Sequence, residues 1–318
     1  MTRFLRVFLR DAPSGRIQVG AFGKHPAWDD HIDDIGLGTE TLVLTKQLLY
    51  SEGIANQLAS GAWDQIERSG NAIDFDHRFI WGRDQQAIVG AIWSSADRKG
   101  RTRFPLVICA QAGFEALQAI HVLLDPIEQL GTVCRQAKTQ DEIRDAISRS
   151  QMELDYGILP PMDDHRFTKI DDSEETSLLP SLVTLSAGLR KRQRGLREVG
   201  KVNHSHFRLA AISSRAKDSL IFWYAYQAAQ RAGSGLPSIV IAANGREWID
   251  LIAGEPLEND FYCLRANQHA LPATWVTAEG KERSKLESEA KDYLRTCRLT
   301  PPSLPVHRRS WWSTLFNK

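Results

Sequence analysis

Residues 77–110 read HRFIWGRDQQAIVGAIWSSADRKGRTRFPLVICA, and the fold class turns on them. Three apolar runs, HRFIWGRD, QAIVGAIWSSAD and TRFPLVICAQA, are rich in Ile, Val, Phe and Trp and are separated by polar pieces, the pattern of a β-meander. The turn DRKGR, Asp97 to Arg101, puts Gly100 where a hairpin favours positive φ. Pro105 cannot donate to a ladder, so the third strand either begins there or lies at an edge.

Upstream, RIQVGAFG (16–23) alternates around β-formers and predicts a first strand ending in Gly23. Thr39 is placed to cap a helix beginning TETLVLTKQLL. Gly53 is expected to interrupt it before IANQLASGAWDQI resumes with Ile54, Leu58 and Trp63 inward, and the helical cluster should end near Gly70. Downstream, Phe114 to Arg149 is helical in pattern, with Pro126 expected to break or kink the first piece and Thr139 to cap the second. Tyr156 to Asp172 reads as a connector. EETSLLPSLVTLSAGLRKRQR then predicts a helix, HFRLAAIS a strand, KDSLIFWYAYQAAQRAG a helix and LPSIVIAAN a buried strand. REWIDLIAG is read as a short helix and DFYCLRA as a last strand, before a charged helix from about Lys281. The order predicts a layered α/β fold with a mixed or antiparallel sheet and helices on its faces, followed by a helical and basic tail. It does not alternate as a barrel or a dinucleotide-binding domain would.

The chain has 318 residues, 42% hydrophobic and 25% charged, with a formal net charge of +1. No long-range field favours nucleic acid, so none is expected as a partner. Cys109, Cys134, Cys263 and Cys297 share no metal-like spacing. No run approaches the ~18 apolar residues of a membrane span, and the basic N-terminal stretch has no cleavage-like site, so a cytoplasmic protein is expected. There is no phosphate-cradling glycine motif and no serine nucleophile elbow.

The densest chemistry lies in VGAFGKHPAWDDHIDDIGLG (19–38), where His25, Asp29, Asp30, His31, Asp33 and Asp34 surround Trp28. Loops on a rigid scaffold commonly carry recognition or catalysis. His25, Asp29, Asp30 and His31 are legitimate metal ligands, which makes a metal-dependent hydrolase the alternative to a binding role, although the spacing matches no known ligand motif. His204 and His206 have the spacing of one strand face, which a metal could use; solvent-facing positions are the simpler reading. The basic run from Arg190 to Lys201 is either a partner contact or a solvated helix end. Trp63, Trp81, Trp93, Trp223 and Trp248 fall in periodic segments and are assigned to the core. Trp28, Trp311 and Trp312 do not, and aromatics in loops and tails are favoured interface anchors. With Arg308 and Arg309, the tail could give weak contact to a membrane or a protein.

The ordered segments GAFGKHPAWDDHI, ASGAWDQI, FIWGRDQQAIVGAIWSSADRKGRTRFPLVI, GLPSIVI and WIDLIAG resemble the TagF (ImpM) proteins associated with bacterial type VI secretion, over about residues 17–266. The family pattern FGKxPxxGDF falls on Phe22, Gly23, Lys24 and Pro26, with DDH at Asp29 to His31 in place of GDF. The central SxDxxGRxFPL pattern falls on Ser95, Asp97, Gly100, Arg101, Phe104, Pro105 and Leu106, padded by Lys99 and Thr102; the family's GLP falls on Gly235, Leu236 and Pro237. The resemblance implies a longin-like fold over 16–275, between an N-terminal lead (1–15) and a charged helix with a Pro- and Trp-rich tail (276–318). It also implies a non-enzymatic, cofactor-free post-translational repressor that acts through a forkhead-associated (FHA) scaffold protein. Partner contacts are expected on the 24–34 loop and the 97–103 turn, at Lys24, His25, Trp28, Asp29, Asp30, His31, Asp97 and Arg101. A longin-like scaffold for a small GTPase or a membrane is the other alternative.

Overall fold

The structure, a computed structural model, describes residues 17–83, 86–155, 172–199, 204–230, 237–276 and 278–299. The lead, the 156–171 connector and the tail with Arg308, Arg309, Trp311 and Trp312 lie outside them. Seven strands form one sheet: β1 (Ile17–Gly23), β2 (Asp76–Arg83), β3 (Gln86–Trp93), β4 (Leu106–Ala112), β5 (Ser205–Ala210), β6 (Ser238–Ala243) and β7 (Trp248–Ala253). They lie in the order β1-β4-β3-β2-β6-β7-β5, and every neighbouring pair is antiparallel. The meander anticipated over 77–110 is β2-β3-β4, in the middle of the sheet. Pro105 stands just before β4, so of the two roles open to it the strand start is the observed one. Gly100 has φ of +76°.

These strands read as nearly continuous apolar runs because both faces are covered. Successive side chains point to opposite faces. Ile80 of β2, Val89 and Ala91 of β3 and Ile108 and Ala110 of β4 enter one core. Phe79, Trp81, Ile88, Ile92, Val107 and Cys109 enter the other. The first core is closed by α4 (Ala116–Gln136), α5 (Gln140–Asp155), α6 (Asp172–Val199), α7 (Ala216–Gln230) and α8 (Gly280–Leu299). The second is closed by α1 (Glu40–Thr45), a π-helical segment (Lys46–Ile54), α2 (Ala55–Ala59), α3 (Ala62–Arg68) and a 3-10 helix (Glu258–Leu264). One close approach fixes the packing of α4: a Cβ on Gly131 would lie 2.1 Å from the Trp93 ring, so only glycine lets helix and sheet meet there.

Both caps read from sequence are present. Thr39 Oγ1 accepts from Leu42 N at 3.2 Å. Thr139 Oγ1 accepts from Glu142 N at 3.2 Å while Thr139 N donates to Glu142 Oε2 at 3.3 Å, a reciprocal capping box at the start of α5.

Four expectations are corrected. Gly53 does not interrupt the helix; it lies within the π-helical segment against the Phe261 ring, and the break comes at Gly61, where φ is +72°. Pro126 does not break the helix: it sits inside α4, which runs on through it. WIDLIA is strand β7, with Ile249 and Leu251 in one core and Ile252 in the other; its lone carboxylate, Asp250, is buried and is not the polar face of a helix. Residues expected to form a last strand, DFYCLRA, wind instead into the 3-10 helix covering that face.

Both outer strands are engaged along their free edges. Gln151 of α5 accepts from Val19 N at 2.7 Å and donates to Ile17 O at 2.6 Å, and Ala21 and Ile35 exchange backbone bonds. On β5, Arg208 N donates to Thr274 Oγ1 at 2.8 Å and Thr274 N donates to Arg208 O at 2.9 Å. No helix of the described residues is long and apolar enough to cross a membrane.

Candidate functional site

The 24–34 loop leaves the end of β1, and the 97–104 turn leads into β4, its neighbour in the sheet. They therefore meet at one rim. Lys24 N donates to Pro105 O at 3.0 Å, and Lys24 and His31 form a bridge that folds the loop back on itself. Gly23 makes this possible: its φ is +111°, and a Cβ there would strike Pro105 O at 2.1 Å.

Asp97 organises the contact. Its Oδ1 accepts from the backbone N of Lys99 and of Arg101, each at 3.0 Å, which closes the turn. Its Oδ2 accepts from Lys24 Nζ and from Arg101 Nε, each at 2.6 Å. Burial alone would raise its pKa, but Lys24 and Arg101 hold the carboxyl well below the usual range. Arg101 continues outward, donating from Nη2 to Asp29 O at 2.9 Å and meeting Asp30 Oδ1 at 3.1 Å. Asp30 Oδ1 is also 3.0 Å from His31 Nδ1 and 3.4 Å from Lys24 Nζ. Lys24, Asp97, Arg101 and Asp30, which come from two distant motifs, thus alternate in sign around one cluster.

All eight residues expected to contact a partner lie at this rim, but they divide into two groups. Lys24, His25, Trp28 and Asp97 are buried, whereas Asp29, Asp30, His31 and Arg101 are exposed. The expectation that Trp28 is an outlying loop aromatic is corrected: it is 4% exposed, packed in the core, with the guanidinium of Arg144 5.7 Å from its ring. His25 turns inward beside it. Its Nδ1 accepts from Ala27 N at 3.0 Å, and burial, opposed by the Cys134 carbonyl, lowers its pKa.

Sequence reasoning missed the braces that fix the outer loop. Arg98 N donates to Trp28 O at 2.8 Å and its Nη2 to Ala27 O at 2.6 Å, while Nη1 lies 3.2 Å from Asp29. From the first turns of α5, Gln140 donates to Ala27 O at 3.1 Å and Arg144 to Asp33 at 2.7 Å. Lys46 reaches Asp34 at 2.5 Å. Tyr50 and Phe104 pack edge-on against the His31 ring, at 5.7 and 5.1 Å between centroids. Arg98 stood in the recognised turn and could have been found; Arg144 and Tyr50 carry no local signal.

A second polar cluster lies at the far end of the sheet, under the 3-10 helix. Arg208 of β5 faces Asp250 across the β5–β7 ladder. It donates from Nε and Nη2 to the two Asp250 oxygens at 2.9 and 2.8 Å, and from Nη1 to the carbonyls of Ala266, Asn267 and Leu271. His206 bridges Asp250 at 3.0 Å and Asp260 at 3.4 Å, and His204 lies 2.6 Å from Asp260. Burial pulls the His206 pKa down, but the two aspartates outweigh it and raise it to about 9. Burial acts the other way on the aspartates, yet Arg208 and His206 bring Asp250 to about 2, and His204 and His206 do the same for Asp260. His204 and His206 are therefore partners of buried carboxylates, not solvent-facing positions.

Among the described residues, the group whose potential metal-ligating atoms all lie within 4.8 Å of one another is His206, Asp250 and Cys263. Its chemistry does not suit a metal: both Asp250 oxygens are taken by Arg208, the two aspartates favour the protonated form of His206, and burial pushes the Cys263 thiol well up. The loop set His25, Asp29, Asp30 and His31 does not converge in this way.

The fold and rim define a mixed α/β protein with a seven-stranded antiparallel sheet between two helical layers. Among solved structures, the crystal structure of PA0076 from Pseudomonas aeruginosa PAO1 is similar over 82% of this chain and 98% of that chain, at 15% identity and a TM-score of 0.39. No protein-family model matches the sequence, and no curated protein does.

Proposed function

We propose that this chain is a non-enzymatic binding protein of the TagF type, a post-translational repressor of a type VI secretion apparatus that acts through an FHA-domain scaffold protein. The observation that carries this reading is the rim itself. The two sequence segments that bear the resemblance, 22–31 and 95–106, lie far apart in sequence and form one cluster joined by Lys24, Asp97, Arg101 and Asp30. A partner would meet Asp29, Asp30, His31 and Arg101, with the buried four holding the loop in position beneath them. Charges of both signs on such a surface set specificity and encounter rate more than raw affinity. Engagement of both sheet edges by Gln151 and Thr274 turns the reading away from strand addition and toward side-chain recognition.

The test is capture of an FHA-domain protein encoded beside this chain, using wild type, Asp30→Ala and Arg101→Ala. Both variants are expected to lose most of the capture while remaining folded by circular dichroism. Undiminished capture by both would remove the rim from the interface. Turnover of a small molecule that disappears in His25→Ala and His31→Ala would overturn the non-enzymatic reading.

A further inference from the structure

On the layer formed by α4 to α8, α6, residues Trp275, Val276, Ala278 and Glu279, and α8 line a groove of about 620 Å³. Its floor is apolar, made by Leu179, Pro180 and Val183 of α6, with Trp275 and Val276 as the facing wall. Trp275 is 73% exposed, a large aromatic left to water beside an apolar channel. The lining carries Glu175, Glu279 and Glu287 against Arg283 and Lys291, and Arg283 already pairs with Glu287 at 2.8 Å. The lining thus combines apolar side chains with polar ones and is net acidic by one charge, and the groove's volume falls within the range of specific binding sites, ~300–1,000 Å³.

We infer that its occupant is this chain's own C-terminal segment, residues 300–318, held in place as an intramolecular ligand. The composition fits the groove: TPPSLPVHRRSWWSTLFNK carries Leu304, Val306, Trp311, Trp312, Leu315 and Phe316 together with Arg308, Arg309 and Lys318, and no acidic residue. The tether fits as well. α8 is one wall of the groove, and the segment departs from the end of that helix at Leu299. From Lys291 at the groove to Leu299 is about 12 Å of helix at ~1.5 Å per residue. The segment reaches at most about 65 Å when extended, so it can return along α8 with length to spare. A short tether of this kind supplies an effective concentration in the mM range, enough for a modest contact to be occupied. Trp275 and the acidic residues of the lining then have a role: an aromatic wall for Trp311 or Trp312, and counter-charges for Arg308 and Arg309.

The test is photo-cross-linking in the full chain, with Trp275→p-benzoyl-Phe as the probe, read by mass spectrometry of the proteolysed product. The expected product is an intramolecular link to residues 300–318. Adding Glu279→Lys should lower its yield several-fold, and Arg308→Glu with Arg309→Glu in the same chain should restore it. Links to residues 156–171, links between two copies, or no link at all would overturn the assignment, as would a yield indifferent to both charge changes.

Discussion

The molecule carries two charge clusters at opposite ends of one sheet, and they are built differently. At the β1–β4 end, Asp30 and Arg101 stand in water above a buried Lys24–Asp97 pair. At the β5–β7 end, Arg208 and Asp250 are enclosed, with His206 and Asp260 completing the balance of charge. A buried pair costs heavily when one partner is removed, because the other is left without compensation. An exposed pair contributes little to stability and is free to exchange its partner. The comparison therefore separates a cluster that holds the fold from one whose outer half is available for recognition.

The largest expected effect breaks the enclosed cluster. Arg208→Ala leaves Asp250 with His206 alone and takes the donor from the carbonyls of Cys263, Ala266, Asn267 and Leu271, and should cost about 3–5 kcal/mol in the denaturant-unfolding free energy. Next comes Lys24→Ala, which should destabilise less, since Asp97 retains Arg101 and two backbone N–H donors. A Lys24 variant as damaging as the Arg208 one would erase the distinction between the two ends.

A pH titration sharpens the comparison further. The His206 pKa is raised above its unfolded value, so its contribution is fully present below about pH 6.5 and is lost as pH rises through about 9. Tm should fall across that window in wild type and fall less in His206→Gln. Asp250 and Asp260 are depressed, so their contribution is present above the ordinary carboxylate range and is lost as pH falls toward about 2. The smallest stability effect belongs to Asp30→Ala, expected to leave Tm nearly unchanged while losing most of the capture of the proposed partner.

The two ends also differed in how legible they were. The rim is legible because its residues are packed into two short motifs, whereas their meeting depends on the β1–β4 pairing, which no local signal gives. What the motifs could not tell was depth: Lys24, His25 and Trp28 look like loop residues, but the β1 bridge and α5 fold over them. The far cluster is illegible in the sequence because its members are spread from His204 to Asp260, and because WIDLIA fits a helical period as well as a strand. A single Asp among apolar residues in a short run fits either period. Only the partner opposite, Arg208, decides that it is a strand with a buried carboxylate. The 3-10 helix was missed for a related reason: Phe261, Cys263 and Leu264 are buried as strand residues would be, yet they cover the sheet and do not join it.

Hydrogen exchange on the full chain, with and without the proposed FHA-domain partner, tests the central claim most directly. Binding should slow exchange in residues 24–34 and 97–104 and leave 204–210 and 258–264 unchanged. Slowing confined to the β5–β7 end, or an unaltered rim in a saturated complex, would contradict the account.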